Sequence, residues 1–197
     1  MKQQSLHGDI SSADMAFHLN TGRLCLNAVA SFGDWSGDQI ERWPGAEDLG
    51  RWCVDSGLLP DAPQVTDEDL AAARALRAAI YRLVQVARAQ GEFAPEDVAL
   101  LNDWAARPAL IPRLRGRGEE LIWQADAPLE AVLASVARDA VELLTSEVLD
   151  KIRECAADDC SVLFIDASRP GKRRWCSMNR CGNRMKKQAF RQRHKRE

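Results

Sequence analysis

The stretch that decides the reading runs from Cys155 to Arg196, CAADDCSVLFIDASRPGKRRWCSMNRCGNRMKKQAFRQRHKR. Its four cysteines stand in two pairs of equal spacing, Cys155 with Cys160 and Cys176 with Cys181, and fifteen residues separate the pairs. Thiolates suit a borderline-soft ion, and zinc takes four ligands in a tetrahedron. Two local pairs joined by a hairpin-length connector bring four thiolates together from a short chain. The spacing therefore predicts one structural zinc ion held by Cys155, Cys160, Cys176 and Cys181. A redox dithiol would need the tighter C-x-x-C. An iron–sulfur cluster also takes four thiolates. A disulfide framework fits poorly with a start, MKQQSLHGDISSADM, that lacks the apolar core of a secretory signal.

A local fold follows from the same stretch. After Cys160 comes SVLFID, a strand whose Val162, Phe164 and Ile165 can pack against the metal site. Residues 166–171, DASRPG, read as a turn, and Lys172–Trp175 as a return strand, with Trp175 covering the site. From about Asn179 the pattern is helical, with Met185 and Phe190 as its apolar contacts and Cys181 near the helix start. A hairpin and then a helix is similar to treble-clef zinc modules. So small a hairpin buries too little apolar surface to fold alone, so metal binding should supply much of its folding free energy.

Charge divides the chain. Of its 27 Lys and Arg, twelve lie from Arg169 onward, against one of its 29 Asp and Glu; that segment carries a formal +11 and residues 1–168 carry −13, a split the net −2 conceals. The helix carries Arg180, Arg184, Lys186, Lys187, Arg191, Arg193, Lys195 and Arg196, and Lys172, Arg173 and Arg174 add charge from the hairpin. A charge run can be no more than a solubilising face. Against that stand the density of Arg, whose fork matches phosphate and guanine edges, and the near absence of balancing acids. A rigid zinc module with a basic helix is a form of nucleic-acid reader.

The rest of the chain reads as mainly α-helical, a multihelical domain with one small β-hairpin. Residues 1–16 are polar and read as frayed or loosely packed. Leu24–Val29 is a strand or a first buried helix turn, and residues 32–45 are a loop anchored by Trp35 and Trp43. A short helix spans about Ala46 to Ser56 and ends at Gly57. Thr66 and Asp69 form a capping-box pair for a long helix that ends at Gly91, with Leu70, Ala73, Leu76, Ile80, Leu83, Val84 and Ala87 as its stripe. Pro95 opens the next helix and Pro108 stops it. Residues 110–125 form a hairpin turning at Arg115–Gly118. Pro128 begins a helix with Leu129, Val132, Leu133, Val136, Ala140, Val141 and Leu144 inward. Cys25 and Cys53 stand in apolar contexts as buried thiols.

Cys181-Gly182-Asn183-Arg184, preceded by LFIDASRPGKRRWCSM and followed by Lys and Arg, closely resembles the CGNR zinc-finger family along the whole module. The upstream part, in LCLNAV, DLGRWCVDSGL and the ALRAAIYRL helix, resembles the ABATE domain that accompanies that finger. The resemblance implies a bacterial DNA-binding protein, a stress-related transcription regulator, with the four cysteines as its zinc ligands. It adds Asn183, with Arg184, to the candidate nucleic-acid contacts. Domains of residues 1–148 and 149–197 follow, with DNA as partner, an effector or homodimer contact through the first domain, and a cytoplasmic place with no membrane span. An RNA-binding protein, or a sensor whose acidic domain masks the basic arm, are the other readings. An enzyme is not expected, since four cysteine ligands close a zinc site to water.

Overall fold

Start and stop signals written into the sequence set the frame. The computed structural model describes residues 15–194 apart from 34, 36–38 and 159. Leu24–Val29 is a helix (α1), all of whose Cys25, Leu26, Ala28 and Val29 are buried. Its backbone is fastened from outside, as Asp139 accepts from the Cys25 N–H at 2.8 Å and pairs with Arg23 at 2.9 Å. The stretch after it, expected as a loop, contains two short strands, β1 (Phe32–Gly33) and β2 (Ile40–Glu41), paired antiparallel. Trp43 beyond them is buried, and Trp35 stacks flat on Tyr81 with centroids 4.0 Å apart.

Helix α2 (Ala46–Asp55) ends as expected at Gly57, which takes the left-handed φ of +70°. Thr66 caps α3 (Asp67–Arg88). Its hydroxyl accepts from the Asp69 N–H, and the Asp69 carboxylate accepts from the Thr66 N–H at 2.9 Å, closing the capping box. The stop differs from the expectation. Gln90, at φ +55°, makes the left-handed step, and the Gly91 N–H donates back to the Val86 carbonyl at 3.0 Å. Pro95 opens α4 (Pro95–Ala105), which packs Leu101 and Trp104 inward.

The hairpin is present as β3 (Ile111–Arg115) and β4 (Glu120–Gln124), in register from Ile111 opposite Gln124 to Arg115 opposite Glu120. Helix α5 (Pro128–Leu144) supplies the centre of the body. Its inner face closes with Leu143, while Val141 and Leu144 are half-buried. One core joins α1 to α5 through Leu26, Trp52, Leu76, Ile80, Val132 and Val136. Cys25 and Cys53 lie within it, and burial pushes the Cys53 thiol up to about 12. Among the described residues no helix is long and apolar enough to cross a membrane.

The same core reaches past the long helix. A 3-10 turn (Glu147–Lys151) leads into β5 (Ile152–Glu154), which pairs with β6 (Leu163–Ile165). Ile152 and Leu163 belong to the body core, and Ile165 packs against it. The strand opposite β6 is therefore β5, not the expected Lys172–Trp175. The latter segment forms neither helix nor strand and is tied by the Arg174 carbonyl accepting from the Ala156 N–H at 2.8 Å. A π turn (Met178–Gly182) and α6 (Asn183–His194) follow. The architecture is mainly α, with small antiparallel hairpins and a C-terminal four-cysteine module of hairpin then helix.

Candidate metal centre and basic helix

The four cysteines converge. Cys155 follows β5, Cys160 precedes β6, Cys176 ends the returning segment, and Cys181 lies in the π turn that starts α6. Their Sγ atoms all lie within 4.8 Å of one another. Cys160 to Cys176 is 3.8 Å and Cys176 to Cys181 is 3.6 Å. A tetrahedron with Zn–S bonds of about 2.3 Å has S···S edges of about 3.8 Å, so the cluster has the size of a zinc cage. Cys155, Cys176 and Cys181 are buried and Cys160 is partly so. Val162, Phe164 and Ala30 complete the wall, with Trp175 and Met185 packed outside it. Ile165 faces the body core instead.

The electrostatics favour a cation there. Cys155 accepts first from Cys160 and then from Cys176 and Cys181, which brings its pKa far down. Contact with Cys155 drives Cys160 far up. Cys155 and Cys181 are thus drawn down while Cys160 and Cys176 are driven up, and a central positive charge is what lets all four ionise together. Two donors outside the cage point at its sulfurs. The Cys176 N–H reaches Cys155 Sγ at 3.4 Å, and an Arg184 guanidinium N–H reaches Cys181 Sγ at 3.6 Å. Such outer bonds orient metal ligands.

Gly182 fits the site for reasons of space. A Cβ there would stand 2.6 Å from Met178 Sδ and 3.1 Å from Trp175 Cδ1. The loop between the knuckles is held by Asp166, which accepts from the Ser168 hydroxyl at 2.6 Å, the Ser168 N–H at 2.9 Å and the Arg173 N–H at 2.9 Å. These bonds hold its carboxyl below the usual range, the Ser168 hydroxyl contributing most. Sequence reading missed this role, although Asp-x-Ser ahead of Pro-Gly is a local turn signal.

The candidate cations separate by what they touch. Arg173 donates to the carbonyls of Trp175, at 2.9 Å, and Cys176, and lies 4.4 Å over the Phe164 ring. Arg174 is exposed, 4.9 Å over the Trp175 ring, and Lys172 is exposed beside it. Arg180 donates to the Ala16 carbonyl at 2.7 Å. Asn183, Arg184, Lys186, Lys187 and Arg191 are exposed on α6. Phe190 is also exposed, at 56 %, where the sequence suggested an apolar contact. Arg193 belongs to α6, but its side chain, like Lys195 and Arg196, lies outside the described residues.

At about 100° per residue, Met185 turns to the zinc wall while Arg184, Lys187 and Arg191 fall on one side of α6, continuing the line of Arg180. A groove of about 840 Å³ runs along this side, lined by Arg180, Asn183, Arg184, Lys187, Phe190 and Arg191. Lys186 lies round the helix from that line.

Residues 22–147 match the ABATE family model, described as "Putative stress-induced transcription regulator", and residues 151–194 match that of the CGNR zinc finger. No curated protein matches the chain. The descriptions are those of a regulator and a zinc finger, not of enzymes. Four clustered thiols of cage size and the zinc-finger match together assign the chain one zinc ion.

Proposed function

The chain belongs to the ABATE family, and from that premise we propose that it is a transcription regulator that grips duplex DNA with α6, positioned by a zinc ion on Cys155, Cys160, Cys176 and Cys181. The observation that carries this reading is the line Arg180, Arg184, Lys187 and Arg191 along a groove, on a helix whose start is fastened to the metal cage. A duplex presents closely spaced phosphates, and a rigid row of cations meets several at once, releasing their counterions. Lys172 and Arg174, exposed on the preceding segment, extend the footprint.

The cations do not all serve DNA. Arg173 is read as a clamp of the module, since its guanidinium is committed to two carbonyls beside the ligands. Arg184 and Arg180 serve both ends, as Arg184 also donates to Cys181 Sγ and Arg180 to the Ala16 carbonyl. A zinc ion with four thiolates keeps no open position for water, so its role is architectural. The domain boundary is read between residues 148 and 149, with Ile152 and Leu163 of the module completing the body core.

Charge-removing variants test the reading. Lys187→Gln and Arg191→Gln each lower duplex affinity irrespective of sequence and flatten its salt dependence by about one unit of slope. Fluorescence anisotropy on zinc-loaded protein reads both effects, and single-stranded RNA as competitor separates the DNA reading from an RNA one. Unaltered affinity in both variants would remove α6 from the interface.

A further inference from the structure

The hairpin of β3 and β4 is a two-stranded sheet of its own, with no third strand among the described residues. Its register puts Pro112, Leu114, Leu121 and Trp123 on one face. Trp123 anchors the base of the hairpin against the body core. Nearer the turn, Leu114 is 74 % and Leu121 59 % exposed, an apolar pair facing water. A lone two-stranded hairpin is marginal in water, and among the described residues neither outer edge has a partner strand.

The two edges are not alike. β3 reads IPRLR; Pro112 has no N–H to offer, and Arg113 and Arg115 charge the edge. These are the devices by which proteins block edge pairing. β4 reads ELIWQ, with no proline, no Lys or Arg, and a single charge at one end.

We propose that β4 is a dimer seam, at which it pairs antiparallel with β4 of a second copy of this chain about a twofold axis through Ile122. This inference stands apart from the DNA reading. The pairing sets Ile122 opposite Ile122, Leu121 opposite Trp123 of the second copy, and Glu120 opposite Gln124. Apolar side chains meet apolar ones, and each carboxylate meets a carboxamide rather than another charge. The same operation on β3 would set Arg113 against Arg113 and lose a ladder bond at Pro112. The sequence of β4 is thus its own complement, which selects a second copy as the occupant. Each exposed Leu121 comes beside the other chain's Trp123, and the joined sheet has four strands.

Sedimentation equilibrium of the full, zinc-loaded chain tests this. The expected mass rises with concentration towards twice the 21.9 kDa of one chain. Ile122 belongs to neither core cluster, so substitutions there leave the body intact, as helix content by circular dichroism checks. Ile122→Lys and Ile122→Glu, each placing like charges across the axis, raise the dissociation constant on the order of tenfold or more. An equimolar mixture of the two restores association. Ile122→Cys gives a covalent dimer on mild oxidation, because opposed residues are within disulfide reach. A wild-type mass fixed at one chain overturns the proposal. So does a dimer indifferent to Ile122→Lys, a mixture no tighter than either variant, or an Ile122→Cys chain that does not cross-link.

Discussion

At the scale of single residues, the module depends on contacts that its charge and spacing do not announce. Gly182 is required by the neighbours its missing Cβ spares, Met178 and Trp175. Met178 is exposed and can swing aside, so Gly182→Ala costs about 1 kcal/mol, and Gly182→Val, which adds two methyls against Met178 and Trp175, costs more. Thermal unfolding of the zinc-loaded chain checks the order. Arg77 is a second case. It is buried, donates to Glu41 at 2.6 and 2.8 Å, and lies 4.9 Å over the Trp43 ring. Arg77→Ala leaves the Glu41 carboxylate without its main partner and destabilises the body by about 3 kcal/mol in denaturant titration. The four cysteines were legible from spacing alone, because zinc chemistry restricts both residue type and separation. Arg173 was not, since a clamp and a phosphate contact look the same within a run of cations. Arg77 carried a signal that sequence reading passed over, a lone Arg on the stripe between Ala73 and Ile80.

At the scale of elements, caps and metal do the positioning. Thr66→Ala removes the hydroxyl that closes the α3 capping box and costs about 1 kcal/mol by the same titration. Bonds from Thr66 hold the Asp69 carboxyl below its usual value, the backbone N–H first. Its folded pKa is the lower one, so this stabilisation is present above about pH 4 and lost as pH falls below it. The zinc module leans on the body. The Ile165 N–H donates to the Thr21 carbonyl at 2.7 Å, Ser161 Oγ accepts from the Trp35 N–H at 2.9 Å, and Ala30 lines the cysteine wall. Chelating the zinc therefore releases amide protection in residues 163–165 and α6 and loosens residues 21–35, while α5 stays protected in hydrogen exchange. The helices were legible because Thr66, Pro95, Gly57 and Pro128 are local signals. The pairing of β6 was not. The choice of β5 is made by the body core, which buries Ile152 and Leu163 together, and no periodicity in so short a strand reveals that.

At the scale of the molecule, the cationic helix is mounted on the body through the cysteine wall, which Ala30 at the end of α1 helps to build and Met185 of α6 packs against. The metal gives α6 a fixed start, and the body lends Ala30 to the wall of the metal site. Were β4 also to join two copies, each dimer would present two such helices related by a twofold axis, the symmetry of a palindromic site. The central claim, that the zinc-held helix binds duplex DNA through a row of cations, is tested most directly by the affinity of the zinc-loaded chain for duplex DNA as salt is raised. With about six cations on phosphates, log affinity falls against log salt with a slope of roughly −5, and chelation abolishes the binding. A flat salt response, or binding that survives removal of the zinc, would contradict the account.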